Sequence, residues 1–150
     1  MSILTEEQSR AILDKVIKLS KADECSATLN GEVAGNIRFA LNSVSTSGII
    51  DNAELNVMVA FGKRTGMASI NQFDDASLER VVRHAEELAR LAPENPEFMP
   101  AIDKQEYKAS ATFSESTAAI TPEFRAEVAA KSIGPCKEKG LVAAGFLEDG

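Results

Sequence analysis

The chain has 150 residues, of which 44% are hydrophobic, and its 16 Lys plus Arg against 23 Asp plus Glu give a net charge of −7. The length supports one modest hydrophobic core. The acidic balance argues against a nucleic-acid surface, which needs a concentrated basic stripe and salt-sensitive phosphate contacts. The sequence contains neither a long apolar run nor the apolar core of a signal peptide, so we expect a cytoplasmic protein that does not cross a membrane.

A first helix is predicted from about Glu6 to Ser20. Thr5 and Gln8 have the spacing of a capping box, in which each side chain bonds the backbone of the other residue. Apolar side chains then recur at helical spacing, at Ile12, Leu13, Val16, Ile17 and Leu19.

The stretch from Glu24 to Phe73 changes to a β-type pattern. Its clearest strand is Glu54–Phe61, in which alternate residues are apolar. A turn over Gly62–Gly66 and a return strand over Met67–Phe73 complete a hairpin. Weaker strands, separated by glycines, are predicted at Ser26–Glu32, Asn36–Asn42 and Ser43–Ser47.

A second helix is predicted to begin at Asp74 and Asp75, which suit a helix N-terminus, and to end before Pro93. The next stretch, about residues 93–120, contains three prolines and no clear period. We interpret it as an irregular excursion, since long unstructured loops are uncommon inside compact domains.

The C-terminal part begins with Thr121 and Pro122, which form a helix-start signal. The predicted buried stripe of this helix is Phe124, Val128, Ala129, Ile133 and Cys136. Gly134 and Pro135 are expected to kink or split it. Leu141–Leu147 then has the composition of a buried strand, and because such a strand needs a partner to cover it, we expect the chain to be cut from a longer one.

These elements predict an α+β fold over a single domain, residues 1–150. A meandering, mainly antiparallel sheet of about four or five strands is packed by two or three helices.

The sequence does not supply the usual groups of a catalytic or metal site. His84 is its only histidine, so it cannot provide the paired imidazoles of a zinc-binding helix, and we expect a surface helix residue. Cys25 and Cys136 lack metal-site or redox spacing and are expected to be small buried residues. We predict no catalytic residue, no metal ligand and no cofactor within these residues.

Three side chains are candidates for contact with a substrate or partner: Arg38, Asn42 and Arg64. Alternation places Arg38 and Asn42 on one face of a strand, as a polar row suited to an extended peptide or a partner strand. Arg64 belongs to the basic tip of the predicted hairpin. The alternative is a half-solvated sheet with a charged tip and no binding role.

The same segments resemble the N-terminal part of the TldD/PmbA family, also called modulators of DNA gyrase. The similarity lies in an ordered set of segments that covers almost the whole chain, Asn36–Asn42, Thr46–Gly48, Val59–Ser69, Asn71–Leu78, Ala89–Pro96 and Gly140–Gly145. At Gly134 and Pro135, by contrast, the family resemblance implies an unbroken last helix.

The resemblance implies a cytoplasmic protein related to metallopeptidases that act on small or unfolded peptides as homo- or heterodimers enclosing a chamber. In active members a His-Glu-x-x-x-His helix and a later cysteine hold zinc, and that motif lies beyond the part matched here. Zinc would therefore belong to the full-length parent, which could equally be the metal-free partner subunit. We expect a non-catalytic N-terminal domain that contributes to dimer assembly and peptide access.

Two other functions remain open from the sequence. One is a stand-alone interaction module that pairs through the edge of its sheet. The other is a regulator that touches DNA or gyrase directly. The acidic charge of the chain argues against direct, salt-sensitive DNA binding.

Overall fold

A computed structural model of the chain describes residues 3–108, 110–111 and 113–150. Within them, the elements in chain order are α1 (Glu6–Leu19), β1 (Glu24–Ala40), β2 (Ser43–Phe61), β3 (Arg64–Ile70), α2 (Asp75–Leu91), α3 (Glu115–Ala118), α4 (Pro122–Glu138) and β4 (Gly145–Asp149). The strands form one antiparallel sheet in the order β3-β2-β1-β4. The predicted α+β class is confirmed, with the strand number at the lower end of the expected range.

The described residues form two compact units. The first includes those within Met1–Gly31 and Asn52–Lys108, and the second those within Glu32–Asp51 and Ala109–Gly150. The long strands β1 and β2 contribute residues to both.

The first unit has a core built by α1, α2 and the hairpin of β2 and β3. Leu55, Val57 and Val59 alternate along β2 with their side chains buried, as the period of two predicts. They pack with a buried cluster from the helices, Val16, Leu78, Val81, Val82, Ala85 and Ala89. Burial of apolar side chains at helical spacing explains why α1 and α2 form where the sequence predicts them.

Gly66 lets α2 lie very close to the sheet. A Cβ atom at this position would lie 2.3 Å from both the carbonyl oxygen of Ala85 and the backbone nitrogen of Ala89. Because both neighbours are backbone atoms of a helix, neither can move aside as a flexible side chain would. The absence of a side chain at Gly66 therefore sets the distance between helix and strand.

Glu86 is a buried carboxylate that joins the end of α1 to α2. Its Oε1 accepts a hydrogen bond from the backbone N–H of Lys21 at 2.6 Å, and its Oε2 accepts one from Arg83 at 2.7 Å. Arg83 also donates to the carbonyl of Leu19 at 2.7 Å, near the end of α1. Burial alone raises the pKa of Glu86, but these donors and the charge of Arg90 outweigh it and lower the pKa below its ordinary value.

The second unit has a smaller core in which α4 packs on β1. Ala129 and Ile133 of α4 are buried with Ile37, Phe39 and Ala143. Pairing of β4 with β1 runs from Gly35 opposite Asp149 to Phe39 opposite Gly145. These contacts make the C-terminal residues part of the same sheet as β1.

The strands differ from prediction in their lengths. The glycines at 31, 35 and 48 do not interrupt them, because β1 and β2 run through these positions as paired extended chain. The hairpin turn is also shorter than expected. Gly62 has the positive φ of +56° that the turn requires, so β3 starts at Arg64 and ends at Ile70 instead of covering Met67–Phe73.

The expected break at Gly134 and Pro135 is wrong. Helix α4 continues through both residues to Glu138. Pro135 is exposed and lies in the last turn, where few hydrogen bonds remain to be lost and water can reach the freed carbonyl. The buried stripe also differs, since Phe124 is exposed and Arg125 is buried in the same turn.

The last strand lies later than predicted. Residues 141–144 are not in a strand, and Leu141 and Val142 are exposed, whereas β4 covers Gly145–Asp149. Within the described part of residues 93–120, the irregular stretch contains one short helix, α3. Two hydrogen bonds fix the first half of this irregular stretch. The backbone N–H of Asn95 donates to the carbonyl of Lys63, and the backbone N–H of Ala101 donates to the carboxylate of Glu24.

Candidate interaction surface

Arg38 lies on β1 with its side chain exposed. In the pairing of β1 with β4 it is opposite Phe146, and its guanidinium carbon lies 5.2 Å from the centre of that ring. This distance is within the range of a cation–π contact. The aromatic ring orders the guanidinium without using any of its N–H donors.

The predicted polar row of Arg38 and Asn42 along one strand is wrong, because β1 ends at Ala40 and Asn42 lies in the turn that follows. Asn42 has an internal structural role. Leu41 and Asn42 form the tight turn between β1 and β2, and both have positive φ, +50° and +61°. The Asn42 amide nitrogen donates to the carbonyl of Leu141 at 2.9 Å, and its side-chain oxygen accepts from the backbone N–H of Ala143 at 2.6 Å. The side chain thus fixes the turn to the segment before β4. Contact with a partner at Asn42 stays a prediction.

Arg64 belongs to the first unit, whereas Arg38 and Asn42 belong to the second. It opens β3 beside the hairpin turn, and its Nε lies 3.8 Å from a carboxylate oxygen of Glu94. Both side chains are largely exposed, so solvent screens this pair and its contribution to stability is small. A role for Arg64 in partner contact also stays a prediction.

One edge of β2 is open in the second unit. Strand β2 lies between β1 and β3 in the sheet order, but β3 pairs only with Leu55–Phe61. Ser43–Ile50 therefore has β1 on one side and no strand of the described residues on the other. All eight residues are exposed, and the segment contains no charged side chain and no proline. Exposed edges of this kind favour pairing with another strand.

Arg125 is the buried polar residue that sequence patterns missed. It is only 2% exposed, and one terminal nitrogen donates to both carboxylate oxygens of Asp149, at 2.8 and 2.9 Å. A Cβ at Gly35 would lie 2.1 Å from that nitrogen, so the glycine makes room for the guanidinium. Nothing in the spacing of α4 indicates this, because an arginine on a helix is ordinarily solvated.

Cys25 borders a cavity of about 140 Å³ in the first unit, together with Met58, Val59 and Phe98. Burial raises the pKa of its thiol, with the charge of Glu86 adding to that effect and a hydrogen bond with Ser20 opposing it. The thiol is therefore protonated near neutral pH and is a weak nucleophile. Cys25 packs against the core of the first unit, but it is half-buried and not fully buried as predicted.

The described residues do not form a metal site. No group of three or more His, Cys, Asp or Glu side chains among residues 3–108, 110–111 and 113–150 could hold an ion. His84 is exposed on α2, as the sequence predicts. Zinc thus does not fit the donor set of this part of the chain. The helices described here are all too short or too polar to span a bilayer.

No family model matches the sequence, and no curated protein matches it. Solved structures do match. TldE from Thermococcus kodakarensis has a TM-score of 0.76 and 16% identity, with 93% of this chain and 32% of that chain covered. A proposed modulator of DNA gyrase from Thermotoga maritima has a TM-score of 0.66 and 12% identity, with 93% and 32% covered. A second one, from Bacteroides thetaiotaomicron, has a TM-score of 0.68 and 14% identity, with 91% and 31% covered.

The chain spans about a third of the length of these three proteins and shares its fold with that third. Sequence identities of 12–16% establish likeness of fold alone. The chain therefore has the fold of a domain found in TldE, of the TldD/PmbA family, and in the two proposed gyrase modulators, and the resemblance seen in the sequence is confirmed at that level.

Proposed function

We propose that this chain is the N-terminal, non-catalytic domain of a longer TldD/PmbA-like protein, either a zinc-dependent peptidase or its metal-free partner subunit. In this role it contributes to dimer assembly and limits access of unfolded or small peptides. The likeness of fold supports the proposal, because nearly all of this chain corresponds to only about a third of each solved relative.

The observation that carries the assembly role is the open edge of β2, Ser43–Ile50. Protein sheets usually protect an edge with lysine, proline or a covering element. Ser43–Ile50 has no charge and no proline, and its residues are exposed, including Val44, Ile49 and Ile50. Such an edge is suited to a partner strand, which the proposal assigns to a second TldD/PmbA-like subunit.

Two copies of one edge can pair antiparallel only in certain registers. Backbone groups of alternate residues point outward, so two residues that face each other must be separated by an even number of positions. Pairing centred on Ser47 meets this condition and places Val44 of one copy opposite Ile50 of the other. This register brings an apolar pair together twice, once at each end of the contact.

Sedimentation velocity on the 150-residue chain tests the pairing. We expect concentration-dependent dimers, and we expect Val44→Lys to raise the dimer Kd by about tenfold or more, since it puts a charge on the edge. Val44→Lys combined with Ile50→Glu should recover association, because the opposed residues then carry opposite charges.

The matched control is Met58→Lys. Met58 is also on β2 and is 47% exposed, against 46% for Val44, but it lies where β2 is already paired with β3. It should leave the dimer Kd unchanged. A wild-type chain that stays monomeric at several hundred micromolar, or equal effects of the two lysine variants, would refute self-pairing through this edge.

The peptidase part concerns the longer protein. Because the described residues of this chain do not fit a zinc site, the metal would be held elsewhere in that protein. Its purified form is expected to contain zinc or to bind a zinc-containing partner, and that assembly should cleave unstructured peptides. If neither the protein nor its assembly holds zinc or cleaves such peptides, the peptidase part is lost and the fold assignment stands.

A second candidate is a stand-alone interaction module, which the open edge of β2 also supports. The reading frame after codon 150 separates the two. A stop codon favours the module, and several hundred further codons favour the domain of a longer protein.

A further inference from the structure

We infer that the cavity of about 140 Å³ in the first unit binds the N-terminal residue of a peptide, taking its apolar side chain between Met58 and Phe98 and its ammonium group at Glu24. The inference deepens the proposed role in peptide access and rests on that proposal for its biological setting. The site itself is argued from the first unit alone, because every residue that lines the cavity lies between Glu24 and Ala101.

A strap, residues 95–101, forms the roof of this cavity. At its first end the backbone N–H of Asn95 donates to the carbonyl of Lys63, in the turn between β2 and β3, at 2.9 Å. At its last end the backbone N–H of Ala101 donates to the carboxylate of Glu24, the first residue of β1, at 2.9 Å. The strap therefore runs from this turn to β1 across one face of the sheet. Because both of its ends are bonded to the sheet, the cavity beneath it is formed without a ligand.

The volume and lining of the cavity suit one apolar side chain. Met58, Ala60 and Phe98 contribute apolar surface, and Ala60 is only 4% exposed, so this part of the sheet is covered. An engineered apolar cavity of about 150 Å³ binds benzene, so a cavity of similar volume has room for the ring of a phenylalanine. The flexible side chains of Met58 and Met99 can adapt to apolar groups of different shape.

Glu24 gives the cavity a negative charge with one oxygen still open. Its Oε2 accepts the bond from Ala101, and its Oε1 has no hydrogen-bond partner in the part of the chain that the structure describes. A primary ammonium group donates charge-assisted hydrogen bonds, which are about twice as strong as neutral ones. In the N-terminal residue of a peptide this group lies on the carbon that bears the side chain. An internal residue has a neutral amide at that place, so the N-terminal residue fits better.

Hydroxyl groups favour a peptide over a small amine. Ser26 and Thr65 line the same cavity. A hydroxyl can both donate and accept a hydrogen bond, so these two can bond the first carbonyl and the first amide N–H of a peptide. A simple amine has neither group. The ligand is therefore a peptide with a free, apolar N-terminal residue.

NMR titration of the 150-residue chain with Phe-Gly-Gly amide tests the site. The chain should be held at a concentration where sedimentation shows monomer, or carry Val44→Lys. Three other probes each lack one feature: Ala-Gly-Gly amide lacks the ring, acetyl-Phe-Gly-Gly amide lacks the charge, and phenethylamine lacks the peptide groups. We expect a Kd of about 1 mM for Phe-Gly-Gly amide and binding weaker by about fivefold or more for each of the others.

Amide and methionine methyl shifts locate the ligand. The chain has only four methionines, so the methyl signals of Met58 and Met99 can be assigned by substitution. Shifts concentrated on these methyl groups and on the amides of the strap support the site. Shifts concentrated on Ser43–Ile50 overturn it, as does the absence of saturable shifts at about ten times the expected Kd.

Glu24→Gln tests the charge, because glutamine keeps an oxygen acceptor for the N–H of Ala101 and so keeps the strap bonded. It should abolish the preference for the free over the acetylated N-terminus. Glu97→Gln makes the same change at an exposed residue of the strap that does not line the cavity, and should leave the preference intact. Equal effects of the two variants would overturn the assignment of the ammonium group to Glu24.

Ser26→Met tests the cavity itself, since it adds a long side chain to an exposed lining position. It should weaken binding of Phe-Gly-Gly amide by about tenfold. Thr28→Met places the same side chain two residues further along β1, on the same face but outside the lining, and should leave the Kd unchanged. Urea unfolding shows that each variant is folded. Equal Kd values for the two methionine variants would exclude the cavity.

The probes also decide the ligand class. Equal affinity for the free and acetylated peptides overturns recognition of the N-terminus, and equal affinity for phenethylamine and the peptide overturns the assignment to peptides. None of these measurements involves zinc, peptide cleavage or dimer formation, so the site and the proposed function can fail separately.

Discussion

Glu86 offers the most direct test of how the first unit is held together. The variant Glu86→Gln keeps the shape of the side chain and one oxygen acceptor but removes the negative charge. The bond to the Lys21 amide can persist in neutral form, whereas Arg83 loses its charged acceptor. A hydrogen bond to a charged group contributes about 1.5–3 kcal/mol, and breaking a buried ion pair costs about 3–5 kcal/mol. We expect the free energy of unfolding to fall by about 2–4 kcal/mol.

The neighbouring residue supplies the control. Glu87 is exposed on the same helix, so Glu87→Gln makes the identical chemical change in solvent and should alter the free energy of unfolding by no more than about 0.5 kcal/mol. Urea unfolding followed by circular dichroism measures both variants at pH 7. Equal stabilities of the two variants would refute a stabilising role for the buried carboxylate.

The stability difference between wild type and Glu86→Gln should also depend on pH. The pKa of Glu86 is lower in the folded chain than its ordinary value, so its ionised form contributes stability above the unfolded-state pKa of about 4.3. That contribution is lost as the pH falls through the lower, folded-state pKa. The stability difference between wild type and Glu86→Gln should therefore be full at pH 7 and should narrow in acid below about pH 4.3. A constant difference down to the end of the acid titration would contradict this reasoning.

Two further pairs of substitutions test the close approach at Gly66 and the buried ion pair of Arg125 with Asp149. Gly66→Ala should lower the free energy of unfolding by about 3 kcal/mol or prevent folding, since its Cβ would meet helix backbone at 2.3 Å. Gly134→Ala has open space around it and should raise the free energy of unfolding by about 0.5–1 kcal/mol. Thermal unfolding measures both variants. Arg125→Met removes the buried partner of Asp149 and should lower the free energy of unfolding by about 3–5 kcal/mol, measured in urea. Lys131→Met breaks an exposed ion pair and should lower it by at most about 0.5 kcal/mol. Similar losses for both glycine variants, or for Arg125→Met and Lys131→Met, would show that the contacts described do not decide stability.

The candidate surface was found only in part from the sequence. Alternation correctly indicated that Arg38 projects from the sheet, but the contact with Phe146 depends on the pairing of β1 with β4. The bonds of Asn42 with residues about 100 positions later in the chain have no local signal. The open edge of β2 likewise follows from where β3 ends, which no feature of Ser43–Ile50 itself specifies.

The sequence by itself determined α1, α2 and the alternating part of β2. Capping residues and apolar periods act between residues only a few positions apart, so their effect can be recognised without the fold. The tertiary structure alone decided the close approach of α2 at Gly66 and the burial of Arg125. Both depend on which distant segments meet, and the free energy of such contacts is fixed by neighbours that the local sequence does not contain.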